Sequence, residues 1–600
     1  MINRMATVCA SIFIAMALII AWLNPATGYE LDIYASTPLA IWLLIGASMI
    51  IGAGIILHQL FTQGYKHNRA WMLGFAVLVV ARLALLWIPY VRGYVTWGGD
   101  NITHWGMIID VLDTGHLYSE NSYPVTHSML AQVIQLTGLP IRTVTNLSTG
   151  LFSAFYIVLI YLLSTRVIPK PKYRLATVLL AGFILVLGEY SVFLMPNGWS
   201  ILFMPLLFFL YFSKAEKFSF TFPFILMLVL YPFFHPLSSL MLGLSFLVLL
   251  ISSALFWYYI RQNAALNAVS AQAGQPLTPA ILQFVMLIPW VLSFNQFIPN
   301  IRNMWAQITS GAPSQFGDIS DILSKINMTG WDTVILFFKL YGVTTFMILL
   351  SITGIIIALA KSKNSKAPVS YTPLIVISSL IVFFGFLYLL YLVGFPGMSS
   401  IGGQRLLSYV AIFTPLVGGY ALVQLLKNAR CKPLVAGVTI MVIAISAFMG
   451  VRSLYFSPYQ LQPNGQITTH SIAGSEWYIE YKNLTHKAAT IMSPINRYAD
   501  GILGRSAAAS RTDLRSSRII QVEDHFGYQE YDTLGEQYSE DLLLNITKKD
   551  RVIYDTVWEE VDRFDEDDFI KLHFDYTANK VYGNNEFASY YIKSQTSIKA

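Results

Sequence analysis

The sequence predicts a polytopic α-helical membrane protein with about thirteen transmembrane helices, followed by an extracytoplasmic mixed α/β domain. Three observations predict it. The 600 residues are 55% hydrophobic and only 12% charged, whereas soluble domains carry about 25% charge, so lipid must be the solvent for most of the chain. Apolar runs long enough to cross a bilayer recur as far as Arg452 and then stop. The charge balance changes sign at the same place: 24 Lys and Arg stand against 11 Asp and Glu up to Arg452, and 15 against 22 from Ser453 onward.

The apolar runs lie near 7–24, 37–61, 71–90, 146–164, 175–195, 199–212, 218–235, 237–260, 279–296, 333–360, 371–394, 405–426 and 433–452. The first follows a basic start but no small-x-small cleavage site, so it reads as a retained helix. The run at 199–212 is short. It is kept because the basic loops (Lys66/Arg69, Arg166 to Arg174, Lys214/Lys217, Arg261, Lys361 to Lys366, Lys427 to Lys432) then alternate without a break. Cytoplasmic loops collect Lys and Arg. The rule puts the N-terminus in the cytoplasm and the C-terminal domain outside, in a multi-pass protein of the cell membrane. The expected division is a transmembrane domain, 1–455, containing an external loop at 91–145, and an extracytoplasmic domain, 456–600. In that domain Ile519–Val522, Arg551–Tyr554 and Glu586–Ile592 read as strands and Tyr538–Leu544 as a helix.

Several classes of function are disfavoured. The net charge of +6 sums a basic membrane part and an acidic tail, which gives no support for nucleic-acid binding. Cys9 and Cys431 lie far apart in the expected topology, so neither a disulfide nor a cysteine metal site is expected. No Walker loop, GxSxG or HExxH motif is present.

The chemistry concentrates in the first long external loop. From Trp97 to Gly115, turn residues give way to Trp105, Ile108, Ile109 and Leu112 at i, i+3, i+4 and i+7, the pattern of an amphipathic interfacial helix. Asp100 and His104 fall on one face of it, and Gly115 is placed to end it in a left-handed conformation. The next stretch, Ser122-Tyr123-Pro-Val-Thr-His127, supplies a second imidazole before another amphipathic run ending at Gly138. A carboxylate at this helix start suits three roles: proton acceptor for a sugar hydroxyl, ligand for a divalent ion, or N-cap. The imidazoles suit phosphate binding or support of the base.

Arg82, Glu189 and Lys339 lie inside apolar runs, where a charge costs about 2.5 to 3.5 kcal/mol at the centre of the bilayer and therefore faces a cavity or a partner. The topology puts all three in the outer half of their spans, on the side of Asp100, His104, His127, His235, Arg302 and Arg405. Cations at that depth suit a lipid phosphate.

Asp100 after a span, the following IIDVLDTGHL and the later YPVTHSML resemble the first external loop of GT-C superfamily glycosyltransferases, such as protein O-mannosyltransferases and aminoarabinose transferases. FPGMSSIGGQRLLSYVAIFTPLVGGYAL is similar to that family's late Arg-x-x-x-Tyr span, and FFHPLSSLM around His235 also resembles it. The tail, with NGQITTHSIAGSEWYIEYKN, resembles external domains of archaeal-type enzymes of this kind. No Trp-Trp-Asp-x-Gly motif is present, which disfavours an oligosaccharyltransferase.

The resemblance implies a GT-C-like fold and an enzyme that moves a sugar, with inversion, from a polyprenyl (dolichyl) phosphate donor to a cell-surface glycan or glycoprotein acceptor. It implies Asp100 as the base, and His104, His127, Tyr123 and His235 as support for acceptor, phosphate or metal. Arg405, Tyr409, Arg82 and Lys339 would bind the donor's lipid phosphate. A divalent metal, Mg or Mn, would be the cofactor if Asp100 and His104 hold one. Membrane lipid is the remaining expected partner. The alternatives are a lipid-linked polysaccharide polymerase or ligase, a transporter or flippase, and a scaffold that only displays the tail.

Overall fold

The computed structural model describes residues 1–168, 170–186, 188–214, 218–261, 276–295, 297, 299, 302, 330–363, 372–428, 432–492 and 495–595. The membrane part runs α1 (Ile2–Leu23), α2 (Leu39–Phe61), α3 (Trp71–Val91), α4 (Asp100–Thr114), α5 (Pro124–Thr137), α6 (Ile141–Val167), α7 (Pro171–Phe183) and α8 (Pro196–Lys214). It continues through α9 (Thr221–Phe234), α10 (Pro236–Arg261), α11 (Leu277–Leu292), α12 (Gly330–Lys363), α13 (Thr372–Leu392), α14 (Gly403–Ala411), α15 (Thr414–Asn428) and α16 (Lys432–Arg452).

Among the described residues eight helices are long and apolar enough to cross a membrane: α1, α2, α3, α6, α8, α10, α12 and α13. α14 and α15 make a ninth span if the 46° bend between them lies within one crossing, and Phe218–Phe234, Leu277–Leu292 and Gly437–Arg452 are shorter apolar helices. Composition explains the sidedness of each. α1 turns Ala10, Ile14, Ala17 and Ala21 inward and Val8, Ile12, Met16 and Ile19 outward. Its small residues permit close helix packing, and its large ones face lipid.

The run at 175–195 departs from expectation. α7 stops at Phe183, Ile184 is extended, and a five-residue helix, Gly188–Val192, follows. At 1.5 Å per residue α7 is too short to cross about 30 Å of hydrocarbon. The break is buried, and Arg82 of α3 satisfies it. Its guanidinium donates to the Ala181 carbonyl at 3.0 Å, to Ser153 Oγ at 3.0 Å and to Ser191 Oγ at 3.4 Å. Backbone freed inside a membrane needs such a protein partner.

After α16 the chain builds a five-stranded mixed sheet, order β4-β3-β5-β7-β6, from β3 (Lys487–Thr490), β4 (Ile519–Gln521), β5 (Leu542–Thr547), β6 (Ala578–Gly583) and β7 (Phe587–Ile592). β5 is parallel to β3 and antiparallel to β7. Helices α17 (Thr469–Tyr481), α18 (Ile495–Leu503) and α19 (Glu566–Phe574) belong to the same domain. The strands expected at 519–522 and 586–592 are present.

Two other expectations are corrected. Tyr538–Leu544 is no helix: Leu542 to Thr547 form the central strand, buried at all six positions. A strand buried on both faces shows no alternation and reads like any apolar run. Arg551–Tyr554 is no strand, because Thr547 and Asp550 form a capping box that starts the helix Lys548–Val552.

The loop at 91–145 and the sheet domain are joined by backbone. β1 (Thr96–Trp97) pairs antiparallel with β2 (Gln466–Ile467), and the Gly98 N–H donates to the Gly465 carbonyl at 2.8 Å. Beneath this ribbon Arg92 grips Glu30 with both terminal nitrogens, at 2.6 and 2.7 Å, which ties the α1–α2 loop to the end of α3.

Candidate active site

α4 forms where expected and ends at Gly115 with φ +72°, and α5 ends at Gly138 with φ +67°. Both are left-handed caps that only glycine adopts cheaply. α4 is not a helix with one face in lipid, however. Trp105 and Ile108 pack into the helical bundle, and Trp105 Nε1 donates to Thr145 Oγ1 of α6 at 3.1 Å. On the other side Gly106 lies so close to α18 that a Cβ there would stand 2.2 Å from the Asp500 carbonyl oxygen. The amphipathic pattern is real, but its polar face is covered by the C-terminal domain.

That contact sets the charges around Asp100. Asp100 occupies the first turn of α4, after Gly99 at the N-cap position. Its carboxylate pairs with Arg497 of α18 at 3.0 Å, with both groups partly open to solvent. Arg497 also donates to Thr103 Oγ1 at 2.8 Å, Thr103 Oγ1 donates to Asp500 at 2.7 Å, and Asp500 is paired with Arg505 at 2.6 Å. Two turns beyond Thr103, Asp110 accepts from the backbone and hydroxyl of Ser506 at 2.9 to 3.1 Å. Burial nevertheless holds the Asp110 carboxyl above its usual range.

The imidazoles form a chain with one proton order. The Tyr123 N–H donates to Asn121 Oδ1 at 3.2 Å, which fixes the amide so that Asn121 Nδ2 donates to His127 Nδ1 at 2.9 Å. His127 must then carry its proton on Nε2 and donate to His104 Nδ1, 3.0 Å away. His104 is left with an Nε2–H to donate. Both rings are buried and neutral: burial pushes His104 down to about 4 and His127 well below the ordinary imidazole value.

Tyr123 joins this chain to the remaining groups. Its ring stacks on His235 at 5.6 Å between centroids and stands 5.8 Å from His104. Its hydroxyl is raised by burial first and by Asp100 second, and is drawn down by Arg405, Arg497 and Arg505. Tyr123 thus touches the rings of His104, His127 and His235 and lies within electrostatic reach of Asp100 and Arg405. His235 sits at the junction of α9 and α10.

The other expected residues have partners of their own, and Tyr409 is linked to His235 through Ser238, whose N–H donates to His235 Nδ1 at 3.4 Å. Arg82, 1% exposed, is spent on the α7 break. Lys339 of α12 lies 5.0 Å from the centre of the Tyr459 ring. Tyr409, fully buried one turn after the exposed Arg405, hydrogen-bonds with Ser238 Oγ at 2.9 Å. The Glu189 side chain lies outside the described residues.

Asp100 and His104 make a poor metal site. A guanidinium occupies the Asp100 carboxylate, and His127 occupies His104 Nδ1. Among the described residues the group of His, Cys, Asp or Glu with three ligand atoms in reach of one ion is His525, Asp565 and Asp568, in the C-terminal domain. There Asp565 and Asp568 form the capping box of α19, and His525 Nδ1 lies 2.9 Å from Asp568.

Sequence reasoning missed Arg497, Thr103, Asp500 and Asn121. For Asn121 a signal existed, a short amide six residues before a histidine at a Pro-fixed turn. For Arg497 none existed, because only the fold brings it to Asp100.

No protein-family model matches the sequence, and no curated protein does. Among solved structures, the fold is similar to that of the Archaeoglobus fulgidus oligosaccharyltransferase in the apo form, with 10% identity over 86% of this chain and 74% of that chain and a TM-score of 0.45. It is also similar to archaeal oligosaccharyltransferase AglB from Archaeoglobus fulgidus in complex with an inhibitory peptide and a dolichol-phosphate, with 10% identity, 87% and 74% coverage and a TM-score of 0.45. A third is ArnT from Cupriavidus metallidurans bound to undecaprenyl phosphate, with 9% identity, 86% and 98% coverage and a TM-score of 0.43. Likeness at this level carries nothing about what this chain does.

Proposed function

We propose that the protein is an integral membrane glycosyltransferase that takes a sugar from a polyprenyl phosphate and passes it, with inversion, to a hydroxyl of a surface glycan or glycoprotein, at the extracytoplasmic face. The observation that carries this reading is the arrangement of one partly open carboxylate, Asp100, with a proton-ordered imidazole chain and an exposed guanidinium, Arg405, around the Tyr123 ring.

In this reading the acceptor oxygen attacks the anomeric carbon from the face opposite the phosphate, and Asp100 takes the hydroxyl proton. The bond from the anomeric carbon to the phosphate oxygen breaks, and the electron pair leaves with the lipid phosphate. Arg405 meets the charge that grows there, where a guanidinium can bond two oxygens at once. His104, with its donor on Nε2, orients a sugar or phosphate oxygen. A neutral imidazole fits that task, since its burial disfavours the charged form that would hold phosphate by charge alone. Arg497 sets the rotamer of Asp100 until an acceptor arrives. No step passes through a metal.

The test is mass spectrometry of surface glycans and lipid-linked sugars from a deletion strain complemented with wild type or Asp100→Asn at equal expression. A glycan short by one sugar, with accumulation of a polyprenyl phosphate sugar, supports the reading. A lipid diphosphate oligosaccharide accumulating instead points to a polymerase or ligase.

A further inference from the structure

We propose a second ligand site, a lysine-rimmed cavity that binds one anionic phospholipid at the membrane face opposite Asp100. The cavity, of about 780 Å3, opens among α2, α7, α15 and α16. Lys66, Lys170, Lys172 and Lys427 stand around it, and Lys361 lies with them in electrostatic reach of Lys172. Between these cations the walls are hydrocarbon, from Leu57, Phe61, Leu422, Leu426 and Ile440. Phe61 and Ile440 are exposed on the lipid-facing surface of their helices, so the cavity opens sideways to the acyl chains.

The site is separate from the Asp100 site by topology. Lys66 lies in the turn between α2 and α3, and the far end of α3 leads into the Asp100 loop. Lys361 and Lys427 end α12 and α15, and Lys170 and Lys172 stand at the turn from α6 to α7, after α6 has run its length from the external loop. A bilayer core of about 30 Å divides the two faces.

The collection of lysines on one face is what the positive-inside rule produces. That rule does not draw four of them around one apolar cleft with a fifth in reach, nor does it hold them there. Lys361 donates to Gln424, whose amide donates in turn to the Tyr173 hydroxyl at 2.6 Å. The Lys172 ammonium lies 4.9 Å from the centre of the Tyr173 ring, and Lys66 donates to Gln63 at 2.5 Å. These partners are neutral. Among the described residues no salt bridge joins a carboxylate to any of the five.

Like charges held close together by neutral groups repel one another, and an anion among them relieves the repulsion. The apolar walls select an anion that carries hydrocarbon. Basic pockets between membrane helices bind phosphate headgroups on this physical ground.

The experiment uses the full-length protein, delipidated in mild detergent and titrated with phosphatidylglycerol or phosphatidylcholine under native mass spectrometry. Wild type is expected to keep one phosphatidylglycerol and to prefer it by about tenfold or more. The Lys66→Gln/Lys170→Gln/Lys172→Gln/Lys427→Gln variant loses that preference. The corresponding four-arginine variant, which keeps the charge and the topology signal, retains it.

Equal binding of the two lipids by wild type overturns the proposal, as does undiminished preference in the glutamine variant or lost preference in the arginine variant. So does thermal stabilisation of wild type by inorganic phosphate equal to that by phosphatidylglycerol, because the site would then read charge without the hydrocarbon.

Discussion

The carboxylate of Asp100 and the guanidinium of Arg497 meet at 3.0 Å, one from the first turn of α4 and the other from a helix of the C-terminal domain. The pair makes the C-terminal domain part of the candidate active site. Because both groups are partly exposed, the bond contributes little stability, about 1 kcal/mol at most. Its role is to set where the carboxylate points.

Arg497→Gln is therefore expected to leave the melting temperature within a few degrees of wild type while lowering kcat/KM for transfer about tenfold or more. Gly106→Ala tests the same contact from the backbone, since its new Cβ would collide with the Asp500 carbonyl 2.2 Å away. It should lower both melting temperature and activity. Scanning fluorimetry in detergent beside a transfer assay separates the two outcomes. Arg497→Gln at full activity would leave the ion pair without a positioning role.

The histidine chain predicts a pH dependence with a definite sign. In the unfolded chain an imidazole takes a proton near pH 6.5, but buried His104 does so only at about 4, and His127 is lowered too. Between those values the unfolded state binds more protons, so stability falls as pH drops through the window from about 6.5 to 4, and the contribution is complete above it. Each imidazole adds up to about 1.4 kcal/mol per pH unit there. Melting temperature measured from pH 8 to pH 5 should decline more steeply in wild type than in His127→Gln. Parallel curves would contradict the burial of neutral rings.

Arg82 is predicted to matter for folding, not for the donor. Arg82→Gln leaves the Ala181 carbonyl and two serines short of a donor, a loss of about 1 to 3 kcal/mol. Arg82→Lys should not rescue it, because one ammonium cannot span the three partners that the guanidinium reaches. Thermal unfolding in detergent checks this, with activity per folded molecule unchanged.

Arg405 and Tyr409 should part company. Arg405→Gln is expected to lower kcat/KM for a polyprenyl phosphate sugar about a hundredfold, the range for loss of one donor to a developing oxyanion. Tyr409→Phe removes the bond to Ser238 and costs about 1 kcal/mol of stability, with donor use retained. Equal kinetic defects in the two variants would contradict the separation of exposed Arg405 from buried Tyr409.

The sequence revealed what depends on neighbours along the chain. The α4 helix, its Gly115 cap and the Asp100–His104 face follow from spacing and from the conformational freedom of glycine. So do most of the apolar runs, because a lipid-crossing helix is a property of composition. The 175–195 run was misread because its interruption is stabilised by Arg82 from another helix, and β5 was misread because a strand buried on both faces loses its alternation. Tyr409 and Arg405 stand at i, i+4 on one helix, and what the sequence does not show is that one is buried and the other exposed. Arg497 could not be found at all, since nothing near position 497 refers to position 100.

The most direct test of the central claim is single-turnover release of polyprenyl phosphate from a radiolabelled polyprenyl phosphate sugar by purified protein, wild type against Asp100→Asn, with acceptor present. Asp100→Asn is expected to bind the donor as wild type does and to release lipid phosphate about 100- to 10,000-fold more slowly. Release by Asp100→Asn at the wild-type rate would contradict that claim and leave Asp100 only as the partner of Arg497.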